Sequence, residues 1–196
     1  MGRLFCREWV HRACCDRTMT DAGDMRLFFA LWPPPALARR LARRAAGLSV
    51  TGRPVAWPRL HLTLAFIGRC GGDELADLTA RAGAVNVPRF DLTLDRVGHF
   101  AGPRITWIGC ADPPPALLRL AAALRPPNAL DSARFRPHIS VIRSNSATVS
   151  LPMEPVWWAV TRFCLVASGH NGHPGAYRTL SHWSLARAES HVAGME

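Results

Sequence analysis

The sequence contains no lysine: all 24 of its basic residues are arginine, set against 14 acidic residues for a net charge of +10. An all-arginine inventory reflects genomic base composition as readily as function, but it has a physical consequence. Guanidinium presents a planar fork of donors that matches phosphate, whereas an ammonium is a point charge. Anionic partners are favoured, nucleic acid ahead of an acidic protein or a membrane surface. No apolar run reaches the ~18–20 residues of a membrane span, and Glu8, His11, Arg12 and Asp16 break up the apolar stretch a secretory signal needs. The six cysteines (6, 14, 15, 70, 110 and 164) include no C-x-x-C pair, so neither a disulfide scaffold nor a structural zinc site is expected. Nor is there a G-x-G-x-x-G or a P-loop, which argues against a doubly wound nucleotide fold. A cytoplasmic protein is the default.

What is present is 196 residues, 48% hydrophobic, enough for one domain of ordinary size or two small lobes sharing a core. Residues 1–24 stand apart. They hold four arginines, four acids and half the cysteines with no clean period, and read as an extension outside the fold. Adjacent Cys14 and Cys15 argue against a metal site with Cys6 and His11. From Met25 to residue 188 the elements alternate within a single domain, and 189–196 form a tail. Strands are expected at 25–32, 60–68, 90–97, 104–109, 135–142, 157–167 and 177–186. Helices are expected at 35–46, 73–84 and 114–125, the first carrying Arg39, Arg40, Arg43 and Arg44 on its surface. A Ser/Asn-rich loop precedes residue 150. Strands outnumber helices, which points to α+β, with helices covering one face of a largely antiparallel sheet.

The informative feature is a repeat. Leu60-His61-Leu62-Thr63-Leu64 and Pro137-His138-Ile139-Ser140-Val141 both read His, aliphatic, hydroxyl, aliphatic. In a strand, residues i and i+2 share a face, so each segment aims an imidazole and a hydroxyl to one side and packs its aliphatics on the other. Opening a 2′,3′-cyclic phosphate calls for that set. A base deprotonates water, an acid protonates the departing sugar oxygen, and hydroxyls donate to the non-bridging oxygens. Imidazole, with a pKa near ~6.5, performs either proton transfer at neutral pH. A lone His-x-Thr in a strand is usually structural; two copies, one per half of the chain, shift the balance. Metal ligation is disfavoured, because neither tetrapeptide holds a carboxylate and the spacing is not the i, i+4 of helical zinc motifs.

Extended text carries a resemblance. Arg26-Leu-Phe-Phe-Ala-Leu, Pro58-Arg-Leu-His61-Leu-Thr63-Leu-Ala-Phe66-Ile-Gly68, Phe90-Asp-Leu-Thr-Leu, Gly98-His-Phe, Trp107-Ile-Gly109, Arg136-Pro-His138-Ile-Ser140-Val-Ile-Arg143 and Tyr177-Arg-Thr-Leu together resemble the 2H phosphoesterase superfamily. The nearest family within it is the RNA 2′,3′-cyclic phosphodiesterases, also called the 2′-5′ RNA ligase family. The resemblance implies a bilobal fold of two pseudo-symmetric halves of antiparallel sheet, helices on the outer faces and a central cleft lined by the His strands. It implies hydrolysis of RNA 2′,3′-cyclic phosphate ends to 2′-phosphomonoesters, without metal or other cofactor, and reversible 2′-5′ joining of tRNA halves. It assigns His61 as general acid and His138 as general base, an assignment the residues alone leave interchangeable. Thr63 and Ser140 would hold the phosphate oxygens, with Ser140 standing where threonine is more usual. Arg143 and Phe66 would flank the terminal base or phosphate.

Strand parity objects to those last two. Each lies five residues after its His, an odd offset that puts it on the opposite face unless the strand ends, twists or bulges first. By parity alone Phe66 is a core residue. Among the other histidines, His99 is expected in a surface turn, His170 and His173 in an exposed loop, and His182 packed in a strand beside Trp183. Trp57 and Trp107 read as packing residues, while adjacent Trp157 and Trp158 must point to opposite faces. The expected partner is RNA with a cyclic phosphate end, met by a monomer with no membrane involvement. Two other readings compete: a non-catalytic RNA-binding module, and a 2H phosphodiesterase acting on small cyclic phosphates or 2′-5′ oligoadenylate.

Overall fold

The computed structural model describes residues 25–126, 135–144, 149–169 and 176–187. The extension at 1–24 with its Cys6/His11/Cys14/Cys15 cluster, the tail at 189–196, and His170 and His173 lie outside the described residues.

A continuous apolar run suits a strand covered on both faces, and Leu27–Leu31 fill that role in β1 (Met25–Leu31). Leu27, Phe29 and Leu31 enter the main core, while Phe28 and Ala30 join a smaller cluster on the other face. The chain passes through Trp32 and three prolines into α1 (Pro35–Ala46). Proline is harmless in a first helical turn, whose N–H groups have no partner in the helix. The same Pro-Pro-Pro-Ala-Leu text recurs at 113–117 and opens α3 (Pro115–Leu124). Between the two helices lie β2 (Arg53–Pro54), a single 3-10 turn at Trp57–Arg59, β3 (Leu62–Cys70), α2 (Gly72–Gly83), β4 (Phe90–Phe100) and β5 (Ile105–Gly109). After α3 come β6 (His138–Arg143), β7 (Leu151–Val160), β8 (Arg162–Ser168) and β9 (Tyr177–Ser184).

The strands form one antiparallel sheet in the order β7-β4-β5-β6-β3-β1-β8-β9, with short β2 beside β6. Four strands lie on each side of the β6/β3 boundary, and β1-α1-β3 in one half repeats as β5-α3-β6 in the other. Across that boundary the ladder is a single pair, Leu62 with Ile139. The halves are also tied by their helices, because α1 packs against β6 and α3 against β3. Leu41 of α1 and Leu117 and Leu120 of α3 share one core with Leu62, Leu64, Ile108 and Ile139. Arg89 N–H donates to Ala186 O and Ala186 N–H to Val87 O, joining the start of β4 to the end of β9. The helices thus cover one face of the sheet and leave the other open along the β3/β6 line.

Several expectations need correction. The strand anticipated at 157–167 is two strands, β7 and β8, separated at Thr161. No glycine, asparagine or proline marks that break. Strand β7 also begins six residues early and contains Pro152 and Pro155, which are tolerated because β7 is the sheet's edge. Strand β4 continues to Phe100, so His99 lies in a strand opposite Thr106 and is half-buried rather than in a surface turn. His182, expected to be packed, is exposed on β9. The basic face of α1 is partly occupied: Arg39 lies over the Trp57 ring at 4.4 Å, and Arg44 pairs with Glu154.

Candidate active site

His61 immediately precedes β3 and His138 opens β6. The antiparallel pairing of Leu62 with Ile139 sets the register between the two segments. Continuing it by one residue each way puts Thr63 across from His138 and His61 across from Ser140, all four on the open face. The two histidines occupy opposite corners of this quartet, positions whose backbones in neighbouring strands are about 7–8 Å apart.

Both rings are locked in the same way. His61 Nδ1 lies 2.7 Å from Arg59 O, and His138 Nδ1 lies 2.8 Å from Arg136 O. A carbonyl only accepts, so in each ring Nδ1 carries the hydrogen and Nε2 is left to take or release a proton. The two arginines share a second trait. The Arg59 guanidinium lies 5.3 Å from the Tyr177 ring, and that of Arg136 lies 5.9 Å from the Phe100 ring; each ring also touches the neighbouring His. The repeat is therefore Arg-x-His-x-hydroxyl, beginning two residues before the tetrapeptide. An arginine two places before each His was the available signal.

The walls differ between halves. His61 stacks on Trp32 (5.0 Å, 16°) and meets Phe28 (5.1 Å) and the edge of Tyr177 (5.1 Å). His138 meets Phe100 edge-on at 4.9 Å and Trp107 at 6.4 Å. Trp107 is indeed a packing residue, 5% exposed, yet it also backs the second His. Its ring lies across Gly98: a Cβ there would come within 2.5 Å of Cη2 and 2.7 Å of Cε2, and closer still to Cζ2. The sequence assigns Phe28, Trp32, Phe100 and Tyr177 no part in the site, because aromatics on other segments of the chain show no spacing that links them to a His.

Burial holds the His61 imidazole down to a pKa of about 4 from the usual 6.5; its carbonyl hydrogen bond opposes the shift, and the charges of Arg143, His138 and Arg59 add to it. His138 is lowered by the same main cause, opposed by its own hydrogen bond to the Arg136 carbonyl, with the charges of Arg136 and Arg143 adding to the shift. The cleft is electropositive, and both rings are neutral at pH 7.

The parity objection to Phe66 and Arg143 is resolved by bulges. Pairing with β1 skips Leu64 and Ile67 of β3, and pairing of β5 with β6 skips Val141. Burial follows an identical pattern in both segments. The His and the hydroxyl residue are half-buried, the residue between them and the two after the hydroxyl are buried, and the sixth residue is exposed. That sixth residue is Phe66 in one half and Arg143 in the other. Phe66 is 61% exposed and pairs across strands with Phe28, which touches His61, so it is not a core residue. Arg143 acts electrostatically on both imidazoles. Trp157 and Trp158 divide as expected, 67% and 4% exposed.

Among the described residues no group of three His, Cys, Asp or Glu is placed to hold a metal ion, and no helix is long and apolar enough to cross a membrane. Comparison with known proteins gives a consistent picture. The family model of the 2′-5′ RNA ligase superfamily matches residues 33–172. The RNA 2′,3′-cyclic phosphodiesterase of Escherichia coli is 37% identical over 171 residues, 83% of this chain and 97% of that protein. Among solved structures, E. coli LigT complexed with 3′-AMP superposes with a TM-score of 0.76 at 34% identity, covering 84% of this chain and 99% of that one. LigT complexed with phosphate gives 0.72 at 36%, again over 84% and 99%. On its sequence, its two-halved antiparallel α+β sheet and these matches, the chain belongs to the 2′-5′ RNA ligase superfamily.

Proposed function

We propose that this protein hydrolyses the 2′,3′-cyclic phosphate at RNA ends to a 2′-phosphomonoester, with His61 and His138 moving the protons. The observation that carries the reading is the doubled lock: two imidazoles across one strand boundary, each with Nδ1 fixed to a carbonyl and Nε2 available. Neutral His138 takes a proton from water as the water oxygen bonds to phosphorus. Protonated His61 gives its proton to O3′ as the P–O3′ bond breaks, leaving the phosphate on O2′. His61 is neutral in the free cleft, and an arriving phosphate anion raises its pKa by offsetting the charges of Arg143 and Arg59. Thr63 and Ser140 donate to the non-bridging oxygens, where negative charge grows, and Arg143 adds its positive charge from the rim. Phe66 offers an exposed ring beside Phe28 on which the terminal base can stack. With an RNA 5′-hydroxyl in place of water, the same proton transfers produce a 2′-5′ linkage.

The relatives support this reading. The E. coli protein is named for hydrolysis of RNA cyclic phosphates, and LigT has been captured with phosphate, 3′-AMP and ATP. The test is incubation with an oligonucleotide ending in a 2′,3′-cyclic phosphate, with EDTA present. A 2′-phosphate product that disappears in His61→Ala and His138→Ala supports the assignment. Binding without turnover identifies a non-catalytic RNA-binding module, and faster turnover of small cyclic phosphates or of 2′-5′ oligoadenylate shifts the substrate class.

A further inference from the structure

Trp32 stacks on His61, but it also lines two hollows that have no part in the chemistry above. The larger, about 580 Å³, is bounded by Trp32, Trp57, Trp158, Arg89, Arg162 and Thr161 among others; the smaller, about 300 Å³, continues past Trp32 and Arg162 to Thr179 and His182. Both fall within or at the lower edge of the range for ligand pockets. Neither is lined by a carboxylate. The side chains of Arg89 and Arg162 make no hydrogen bond or ion pair with another described residue, and both residues are exposed. Indoles, unpaired guanidiniums and hydroxyls are what single-stranded RNA meets in its protein sites: bases stack on the rings, and phosphates take the positive charge.

Taking RNA as the substrate, we propose that these hollows form a subsite for the nucleotide 5′ to the one bearing the cyclic phosphate. Its base stacks in the tryptophan-lined cavity, and its phosphate is held by Arg162 with Arg89 beside it. Proximity favours this placement. Trp32, whose ring centroid lies 5.0 Å from that of His61, also lines both hollows, so the subsite begins one side chain away from the catalytic imidazole. Charge supports it as well, since an acidic peptide would leave the half-buried indoles of Trp32 and Trp57 unused and an apolar ligand would bury two guanidiniums unpaired. The enzyme thereby distinguishes an RNA end from a free cyclic mononucleotide.

The test compares kcat/KM for a nucleoside 2′,3′-cyclic monophosphate with that for a tetranucleotide ending in the same cyclic phosphate. The wild type is expected to prefer the tetranucleotide. In Arg162→Ala the ratio of the two values falls by about tenfold or more, the worth of one charge-assisted hydrogen bond to phosphate. In Arg89→Ala/Arg162→Ala the slope of log affinity against log salt becomes shallower by about 0.7 for each phosphate that is no longer neutralised. An unchanged ratio and slope overturn the subsite. If the wild type hydrolyses neither substrate, the hydrolase reading fails, and affinity for a tetranucleotide ending in a 2′-phosphate, followed by tryptophan quenching, decides the subsite separately. Weaker binding by Arg162→Ala supports it, and equal binding rejects it. Both arginines are exposed, so an unchanged thermal midpoint checks that the variants remain folded.

Discussion

Gly98→Ala tests whether the second half of the site is built as described. The new Cβ meets the outer ring of Trp107 at 2.5–2.7 Å for two of its atoms, against about 3.5–4.0 Å for ordinary carbon contacts, so the indole must move by roughly 1 Å. It is hemmed in by Phe100 at 5.4 Å and His138 at 6.4 Å, and overpacking of this kind costs about 1–3 kcal/mol. For a chain of this length that is a drop in Tm of about 2–12 °C. Displacing the ring that backs His138 by such an amount lowers kcat/KM by roughly 10–100-fold. Adding Trp107→Phe removes the atoms that clash, so Gly98→Ala/Trp107→Phe should recover stability and activity relative to Gly98→Ala alone, a positive coupling in a double-mutant cycle. Scanning calorimetry and steady-state hydrolysis of a cyclic-phosphate oligonucleotide supply both readouts. Wild-type behaviour in Gly98→Ala, or no recovery in the double variant, refutes the claim that Trp107 lies over this glycine and supports the histidine.

Removing either imidazole (His61→Ala or His138→Ala) lowers kcat by roughly 10²–10⁴-fold, measured under saturating substrate. Because both rings are held below the ordinary imidazole pKa, kcat/KM against pH should peak below 6.5; bound phosphate raises both values, so the kcat profile should peak at higher pH. A common optimum for the two profiles counts against the electropositive cleft. For stability, neutral His61 favours the folded state above pH 6.5. As pH falls the unfolded chain protonates first, so about 3 kcal/mol is lost between pH 6.5 and 4, and the pH dependence of the denaturation midpoint should flatten in His61→Asn. Arg143→Ala removes a positive charge that acts on both rings and moves both imidazole titrations upward in NMR. Arg143→Lys keeps the charge and leaves them in place, but raises KM by losing the fork.

The class of fold and the doubled His-x-hydroxyl pattern were legible in the chain. Two His-x-hydroxyl segments, apolar alternation and Pro-opened helices follow from local rules of period and backbone geometry, which act over a few residues and are readable in the chain. The bulges at Leu64 and Val141 were not readable, because a skipped residue exists only relative to a partner strand. That is why parity assigned Phe66 to the core and the assembled sheet put it at the open face. The division of the 157–167 stretch is similar: Thr161 carries no turn signal, and the chain breaks there because β7 and β8 belong to opposite ends of the sheet. His99 and His182 exchanged their expected environments for the same reason, since the register of β4 on β5 and of β9 on β8 decides which face each occupies. Tertiary structure alone placed Trp32, Phe28 and Tyr177 around His61, and Phe100 and Trp107 around His138. Those rings come from segments distant in the chain from the His they contact, and the desolvation they impose on each imidazole depends on which surfaces meet once the two halves have closed on a common core.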